Sequence, residues 1–241
     1  MKIALIGYGK MGKEIEQLAL ASKHDVVLRI DKHTDDSLNE IGKADVAIEF
    51  SEPAAAYNNI LACFDANVPI VVGTTGWYDK FDEVKKLCVE KKQALFYSSN
   101  FSVGVNIFFE VNKKLASLMG ERIEYDVDME EIHHSEKKDA PSGTAIVLAN
   151  GVIEQVKRKK KWKSVLWPAN AVSAKDDLLI HSLREGNVPG THRVKYLSDV
   201  DEITIEHKAF SRRGFASGAL LAAEWLKGKK GIFTMSDLLK L

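Results

Sequence analysis

The residues with the clearest chemical potential lie in one short segment, residues 130–145. Its sequence, EEIHHSEKKDAPSGTA, holds two adjacent histidines, His133 and His134, and a lysine, Lys137, four residues after the first. A Pro-Ser-Gly-Thr turn and an apolar run follow, which predicts a helix that begins at the turn. An acid–base group, a cation and a helix N-terminus so close together suit a small anionic substrate that must receive a proton.

A second candidate site is the G-x-G-x-x-G sequence directly after the first apolar run. Its glycines would permit a tight turn, close approach of the backbone to a pyrophosphate, and close packing of helix on strand. Asp31 ends the next predicted strand, where a carboxylate would bind ribose hydroxyls, and Lys32 follows it. Asp31 favours NAD and Lys32 would attract the 2′-phosphate of NADP, so we expect use of both NADH and NADPH. The predicted phosphate loop consists of Gly7, Tyr8, Gly9, Lys10, Met11 and Gly12.

Two later turns complete the predicted cofactor site, because ligands of this fold bind at the carboxyl ends of the parallel strands. The Gly-Thr-Thr-Gly turn could contact the ribose on the nicotinamide side, and the Ser-Ser-Asn-Phe turn could border the nicotinamide ring. The residues predicted to bind the cofactor here are Gly73, Thr74, Thr75, Ser98, Ser99, Asn100 and Phe101.

The elements that must position these residues change in character near residue 101. Before it, apolar strands alternate with amphipathic helices, which predicts βαβ units and a parallel sheet buried on both faces. The predicted strands are 2–6, 26–30, 45–50, 69–72 and 94–97, and the predicted helices are 11–21, 52–66 and 79–91. After it, strands are predicted at 123–132, 179–184, 191–197 and 202–208, and helices at 105–119, 144–158 and 218–227.

This pattern predicts an α/β fold, with a Rossmann-type doubly wound parallel sheet and a second α+β domain with a mixed or antiparallel sheet. Residues 1–101 would form the dinucleotide-binding domain, together with residues 212–241. Residues 102–211 would form a domain for substrate binding and oligomerisation.

The amino-acid composition limits the kinds of molecule that this protein is expected to bind. Lys+Arg and Asp+Glu both number 34, so the net charge is zero, which argues against nucleic-acid or membrane-surface binding. The basic run 157–161 is interpreted as a solvated helix end. The two cysteines, Cys63 and Cys88, lie in helix-like stretches and suggest buried thiols of a cytoplasmic protein. No signal-like segment or membrane-spanning apolar run is present in the sequence.

A metal site is the first alternative for the histidine pair. Adjacent residues on a strand point to opposite faces, so His133 and His134 could share an ion only with distortion. No further cysteine or histidine lies at helpful spacing in the sequence, and we therefore expect no metal.

The segment also resembles a family signature. Residues 131–145 match E-x-H-H-x-x-K-x-D-A-P-S-G-T-A, the signature of 4-hydroxy-tetrahydrodipicolinate reductase, also called dihydrodipicolinate reductase. The sequences GTTG at 73–76, NFSVGVN at 100–106 and HKAFSR at 207–212 match it in the same order. The resemblance implies a lysine-pathway enzyme that reduces a cyclic imine dicarboxylate with NADH or NADPH, as a homotetramer joined through the second domain.

By position in the signature, the resemblance implies that His133 is the proton donor and Lys137 a second catalytic residue. His134, Gly143 and Thr144 resemble substrate contacts. The backbone N–H groups of Gly143 and Thr144, at a predicted helix N-terminus, could bind one substrate carboxylate. Some members carry Arg where this chain has Glu52, so the resemblance assigns no nucleotide contact there.

Other interpretations remain open at this point. An aspartate-semialdehyde dehydrogenase would need a nucleophilic cysteine, which the packing patterns around both cysteines disfavour. A homoserine dehydrogenase would lack a counterpart of the His-His-Ser-Glu-Lys sequence, and a non-catalytic NAD(P) sensor would not need His133 with Lys137. Three further residues could border the substrate or the domain interface, although surface ion pairing is the favoured role of each: Arg184, His192 and Arg212.

Overall fold

The chain forms two compact units, each with its own sheet. The structure, a computed structural model, describes residues 1–166 and 174–241. The first unit comprises Met1–Val103 and Arg213–Leu241, and the second comprises Gly104–Arg212. Among the described residues, no helix has both the length and the apolar composition needed to cross a bilayer.

The elements follow one another in a single order along the chain. The strands are β1 (Lys2–Ile6), β2 (Asp25–Ile30), β3 (Val46–Glu49), β4 (Ile70–Val72), β5 (Ala94–Tyr97), β6 (Asp126–His133), β7 (Lys161–Leu166), β8 (Asp177–Arg184), β9 (Thr191–Leu197), β10 (Glu202–Lys208) and β11 (Gly231–Phe233). The α-helices are α1 (Lys10–Ala21), α2 (Pro53–Asp65), α3 (Phe81–Glu90), α4 (Val103–Met119), α5 (Gly143–Gln155), α6 (Arg213–Leu226) and α7 (Met235–Leu239). Short 3₁₀ helices span Leu38–Lys43 and Tyr78–Lys80.

The first unit is a doubly wound parallel sheet, as predicted. Its six strands are ordered β2-β1-β3-β4-β5-β11, and every pair is parallel. Helices α1 and α6 pack on one face of this Rossmann-like sheet, and α2 and α3 pack on the other. Because the strand order reverses between β1 and β3, the fold leaves a crevice at the carboxyl ends of those two strands.

The second unit has the mixed sheet that the sequence predicts. Strands β10, β9 and β6 pair antiparallel, whereas β6, β8 and β7 pair parallel. Residues of α4 and α5 pack on one face of the sheet, where Leu148 and Val152 join Met129 and Ile180 in a buried core. Strand β6 therefore lies at the centre, with β9 on one side and β8 on the other.

Several elements differ from the sequence prediction. The basic run is not a solvated helix end, because α5 already ends at Gln155 and β7 begins at Lys161. Within that run Lys159 is only 4% exposed and its ammonium donates to the carbonyls of Lys175 and Asp177. Strands β7 and β11 and helix α7 were not predicted, and α6 begins five residues before the predicted start of the final helix.

Candidate functional site

The crevice in the first unit is a cleft of about 360 Å³ beside the glycine turn. Ile6 and Gly7 line it from the end of β1, and Asp31 and Lys32 line it from the end of β2. Helix α1 begins at the cleft with Gly9 as its N-cap, and no side chain caps its first N–H groups. An uncapped helix N-terminus beside a glycine turn suits a pyrophosphate group, so these residues fit a dinucleotide.

Close packing explains two of the glycines predicted in this site. A Cβ on Gly12 would overlap the carbonyl oxygen of Gly7, so a side chain there would push α1 away from β1. A Cβ on Gly73 would overlap the Phe50 ring, which lines the cleft. Gly7 itself has φ of +89°, a conformation that glycine adopts without strain. The turn is therefore held tight by backbone geometry.

The acidic residue after β2 is placed as the sequence predicts. The Asp31 carboxylate accepts the backbone N–H of Tyr8 at 2.8 Å, and this hydrogen bond holds the pKa of Asp31 below its usual range. Lys32 pairs with Glu52 at 3.2 Å, and both side chains line the cleft. Glu52, to which the sequence comparison assigned no contact, thus belongs to the same cleft as Asp31.

The remaining predicted cofactor residues occupy different environments. Lys10, Thr75 and Ser99 are exposed, whereas Met11, Ser98 and Asn100 are partly buried. Thr74 is buried and its hydroxyl accepts the N–H of Ser51 at 2.8 Å.

Phe101 lies in the hydrophobic core of the first unit. Its side chain is 2% exposed and packs against Phe50 and Phe96 at ring distances of 5.7 and 5.8 Å. The predicted contact of Phe101 with the nicotinamide ring stays a prediction.

Sequence reasoning missed a buried carboxylate beside this cleft. Glu49, at the end of β3, is fully buried and accepts the N–H of Ser51 at 3.1 Å and the side-chain amide of Asn59 at 3.3 Å. Ser51 and Asn59 line the cleft. The signal in the sequence was an acid at the end of an otherwise apolar strand.

The second unit brings its chemical residues to the end of β6 and the start of α5. His133 is the last residue of β6 and is 7% exposed, and His134 follows it in a half-buried position. Ser142 is the N-cap of α5, and its hydroxyl accepts the N–H of Ala145. The substrate contacts implied by the resemblance, Gly143 and Thr144, are therefore the first two residues of α5.

Glu131, which was not predicted to act, joins these elements. It is fully buried on β6, and its Oε2 accepts the backbone N–H of Ser142 at 3.0 Å. Its Oε1 accepts the Ser182 hydroxyl at 2.9 Å and the Arg184 guanidinium at 3.1 Å. The carboxylate thus ties the first turn of α5 to β6 and β8.

Lys137 lies on the loop between β6 and α5 and is held by its own neighbour. Its ammonium contacts both carboxylate oxygens of Asp139, at 2.8 and 2.7 Å. Arg184 fixes this loop from β8, because its guanidinium donates to the carbonyls of Lys137 and Asp139. The favoured interpretation of Arg184 as a surface ion pair is therefore wrong, since its side chain is 16% exposed and bonded to buried Glu131.

His192 also differs from the sequence interpretation. It is 5% exposed, and its Nε2 lies 3.0 Å from the Ser142 hydroxyl. Its ring meets that of His133 edge-on, with centroids 5.1 Å apart. The reason is the antiparallel pairing of β9 with β6, which sets His192 opposite Glu131. The third outlying residue, Arg212, is exposed.

Burial controls the protonation of both histidines. It lowers the pKa of His133 to about 4, while the nearby Glu131 charge opposes that shift and Lys137 adds to it. Burial likewise lowers the pKa of His192 to about 3, and the charge of His133 contributes in the same direction. Both rings are therefore neutral at pH 7 unless a ligand brings negative charge to them.

The sequence shows no further cysteine or histidine at helpful spacing, yet the fold brings His192 beside His133. Within the described residues, ligand atoms of Glu131, His133 and His192 all lie within 4.8 Å of one another. The Glu131 oxygens already accept hydrogen bonds from Ser142, Ser182 and Arg184, however. A hydrogen-bond network accounts for this buried carboxylate without an ion.

Comparisons with known proteins point to one family for both units. Residues 1–101 match the family model "Dihydrodipicolinate reductase, N-terminus", and residues 104–239 match "Dihydrodipicolinate reductase, C-terminus". The 4-hydroxy-tetrahydrodipicolinate reductase of Christiangramia forsetii is 49% identical over 99% of this chain and 98% of its own length. That of Thermosipho africanus is 36% identical over 100% of this chain and 98% of its own length.

A solved structure shares the fold. It is the dipicolinate-bound dihydrodipicolinate reductase from Paenisporosarcina sp. TG-14, which superposes with a TM-score of 0.75. The match covers 97% of each chain at 24% sequence identity.

Proposed function

This chain belongs to the dihydrodipicolinate reductase family, and from that premise we propose roles for the residues of its two units. It is an oxidoreductase that uses NAD(P)H to reduce 4-hydroxy-tetrahydrodipicolinate to tetrahydrodipicolinate in lysine and diaminopimelate biosynthesis. The observation that carries the site proposal is the group of residues at the end of β6. There the buried Glu131 carboxylate lies 3.5 Å from the His133 imidazole and accepts the N–H of the α5 N-cap Ser142. It also accepts the Arg184 guanidinium, which holds the loop that carries Lys137.

We propose that His133 donates the proton and that Lys137 stabilises negative charge on the ring. The reduced nicotinamide supplies a hydride when bound, and the ring that receives it must also take up a proton. The neutral His133 of the free protein would gain its proton as the dicarboxylate binds, because added negative charge raises the pKa of an imidazole. The Lys137 ammonium is held by Asp139, so it is oriented before the substrate arrives.

The dicarboxylate would bind at the start of α5. The N–H groups of Gly143 and Thr144 suit one carboxylate, and His134 lies close in sequence to the same turn. In the first unit, the phosphate loop from Gly7 to Gly12 and the acid Asp31 would hold the dinucleotide. The first unit is thus the proposed cofactor domain, and the second the proposed substrate domain.

The test of these roles is turnover in single variants. We expect Lys137→Ala and His133→Ala each to lower kcat by roughly two to four orders of magnitude, the usual scale for lost acid catalysis or charge stabilisation. Lys138→Ala is the matched control, because Lys138 is the exposed neighbour of Lys137 in the same loop. NADH oxidation is followed by absorbance with and without the cyclic substrate. Near-normal turnover of Lys137→Ala would remove Lys137 from the mechanism.

The cleft of the first unit further supports a preference for NADH over NADPH. Lys32 is the cation next to Asp31, but it already pairs with Glu52. A 2′-phosphate would therefore meet two carboxylates and a shared ammonium, whereas ribose hydroxyls can donate to Asp31.

Cofactor competition tests this preference. We expect a higher kcat/KM for NADH than for NADPH, and we expect Glu52→Gln to narrow that difference. Glu90→Gln, an exposed acid at the end of α3, serves as the control. An equal or better use of NADPH by the unaltered protein would show that Lys32 outweighs both acids.

We also propose that the protein is a homotetramer joined through the second unit. In that unit α4 and α5 cover one face of the sheet. Among the described residues, apolar side chains remain exposed on β7, β9 and β10, namely Leu166 at 58%, Leu197 at 56% and Ile203 at 38%. Sedimentation of the protein at a mass four times that of one chain would support the tetramer, and a monomer at micromolar concentration would refute it.

The proposed location is the cytoplasm. Cys63 and Cys88 are both free and buried, which suits a reducing compartment. Fractionation of the source cells, with detection of the protein by antibody, tests this location.

A further inference from the structure

Glu131 is the least exposed charged group of the second unit's site, and the catalytic roles above do not use it. We propose that Glu131 is a positioning residue, whose carboxylate orients the His133 imidazole and anchors the first turn of α5 at the same time. The inference rests on the proposed role of His133 as proton donor. It adds a residue that acts through His133 and has no contact of its own with the substrate.

The geometry around the carboxylate supports this role. Oε2 lies 3.5 Å from Nδ1 of His133 and 3.0 Å from the backbone nitrogen of Ser142. Within the described residues, Nδ1 of His133 is buried and has no hydrogen-bond partner, and the Glu131 carboxylate lies 3.5 Å from it. A proton on Nδ1 facing Glu131 would leave Nε2 as the nitrogen that exchanges a proton with a ligand.

Gly190 lies near Nε2 of the His133 ring and is compatible with the same ring orientation. A Cβ at Gly190 would lie 3.1 Å from Nε2 of His133, which is tighter than ordinary packing. The absence of a side chain at Gly190 therefore leaves space beside Nε2, the nitrogen that the proposal assigns to the proton transfer. Glu131 fixes one edge of the imidazole, and glycine keeps the other edge clear.

The carboxylate is able to hold its charge in this buried position. Burial pushes the pKa of Glu131 upward, but the hydrogen bonds from Ser142 and Ser182 and the nearby His133 outweigh it, so the pKa lies below its usual value. A buried carboxylate with this many donors stays ionised at neutral pH. Its charge then favours the protonated form of His133 and partly offsets the effect of burial.

Other charges around His133 act in both directions. Lys137 and Arg184 disfavour the imidazolium, and Asp139 favours it. The titratable and charged groups that face His133 from the packed elements are Glu131 on β6, Lys137 and Asp139 on the following loop, Arg184 on β8 and His192 on β9. Among these charged groups, Glu131 has the largest effect on the pKa of His133, and it raises that pKa. Its carboxylate also accepts the backbone N–H of Ser142 in the proposed substrate-binding turn.

The decisive variant is Glu131→Gln, which removes the charge but keeps an oxygen that can accept the Ser142 N–H. We expect kcat to fall about a hundredfold, within the range of lost acid catalysis, with the KM for NADH unchanged. The alkaline limb of the kcat profile, where the proton donor loses its proton, should move to lower pH, a shift that a purely structural role would not produce. Glu136→Gln is the matched control, because Glu136 is an exposed acid in the adjacent loop.

A spectroscopic measurement on the unaltered protein covers the case in which Glu131→Gln does not fold. Nitrogen-15 NMR of histidine-labelled protein reports which ring nitrogen carries the proton, and His133→Gln assigns the signal. We expect His133 to be protonated at Nδ1 at neutral pH. A proton on Nε2 instead, or a folded Glu131→Gln variant with the kcat and pH profile of the unaltered protein, would overturn the inference. Full activity of His133→Gln would refute the role of His133 itself, which is a different failure.

Discussion

The burial of His192 makes the stability of this protein depend on pH in a way that can be calculated. Burial lowers the pKa of His192 from 6.5 to about 3, so the folded chain binds fewer protons than the unfolded chain between those values. The contribution of His192 to the free energy of unfolding is therefore fully present above pH 6.5. It is lost progressively as the pH falls toward the pKa of His192 in the folded chain. Each unit of pH below 6.5 costs about 1.4 kcal/mol, so His192 alone should cost about 3 kcal/mol at about pH 4.5.

The perturbation is His192→Gln, which removes the titrating ring. Between about pH 7 and 4.5, the free energy of unfolding should fall in both proteins. We expect that fall to be about 3 kcal/mol larger in the unaltered protein than in the variant. Urea denaturation followed by tryptophan fluorescence gives these values, with one protein concentration throughout because an oligomer's stability depends on concentration.

Val194→Ala provides the matched control. Val194 is fully buried two residues along the same strand and carries no titratable group. Its truncation should lower stability by a similar amount at every pH, so its curve should run parallel to that of the unaltered protein. If the His192→Gln curve also runs parallel, then His192 titrates alike in the folded and unfolded chains, and the reasoning from burial is refuted.

Three further outcomes follow from the two units. Gly12→Ala should lower the free energy of unfolding in urea by about 1–3 kcal/mol, because its methyl group would overlap the Gly7 carbonyl. It should also weaken NADH binding in a fluorescence titration, and unchanged NADH binding would contradict the close packing of α1 on the Gly7 turn. Binding of the cyclic dicarboxylate substrate at about pH 7 should take up between about 0.5 and 1 proton per chain, because His133 is neutral beforehand and negative charge raises its pKa. Equal calorimetric heats of binding in buffers of different ionisation enthalpy would exclude this proton uptake. Iodoacetamide should leave activity intact, because burial raises the pKa of Cys63 and of Cys88; rapid inactivation would point to a reactive thiol.

Local features of the chain were readable without the structure. The glycine loop, Asp31 and the His-His-x-x-Lys segment are contiguous or lie at a spacing fixed by one βαβ unit, so their meaning does not depend on distant residues. Strands β5, β9 and β10 coincide with their predicted ranges, because each is a short run between clear turn signals.

The errors have a common origin in packing across the sheet. The basic run looked like a solvated helix end, yet the fold buries Lys159 against carbonyls of residues 175 and 177. The enclosure of the Phe101 ring by residues of α6 and β5 was likewise not visible in the sequence. Neither environment can be read from a window of neighbouring residues, because the groups that create it come from elsewhere in the chain.

The sequence by itself determined the alternation of strands and helices, the glycine turn after β1 and the identity of the proposed acid–base residue and cation, His133 and Lys137. Only the tertiary structure decided that Glu131 meets Ser142, Arg184 and His192. The physical reason is that β6 pairs with β8 on one side and with β9 on the other, which brings together residues more than fifty positions apart. Hydrogen bonds within a helix or a turn are encoded by spacing along the chain, whereas a buried carboxylate acquires its partners from strand register.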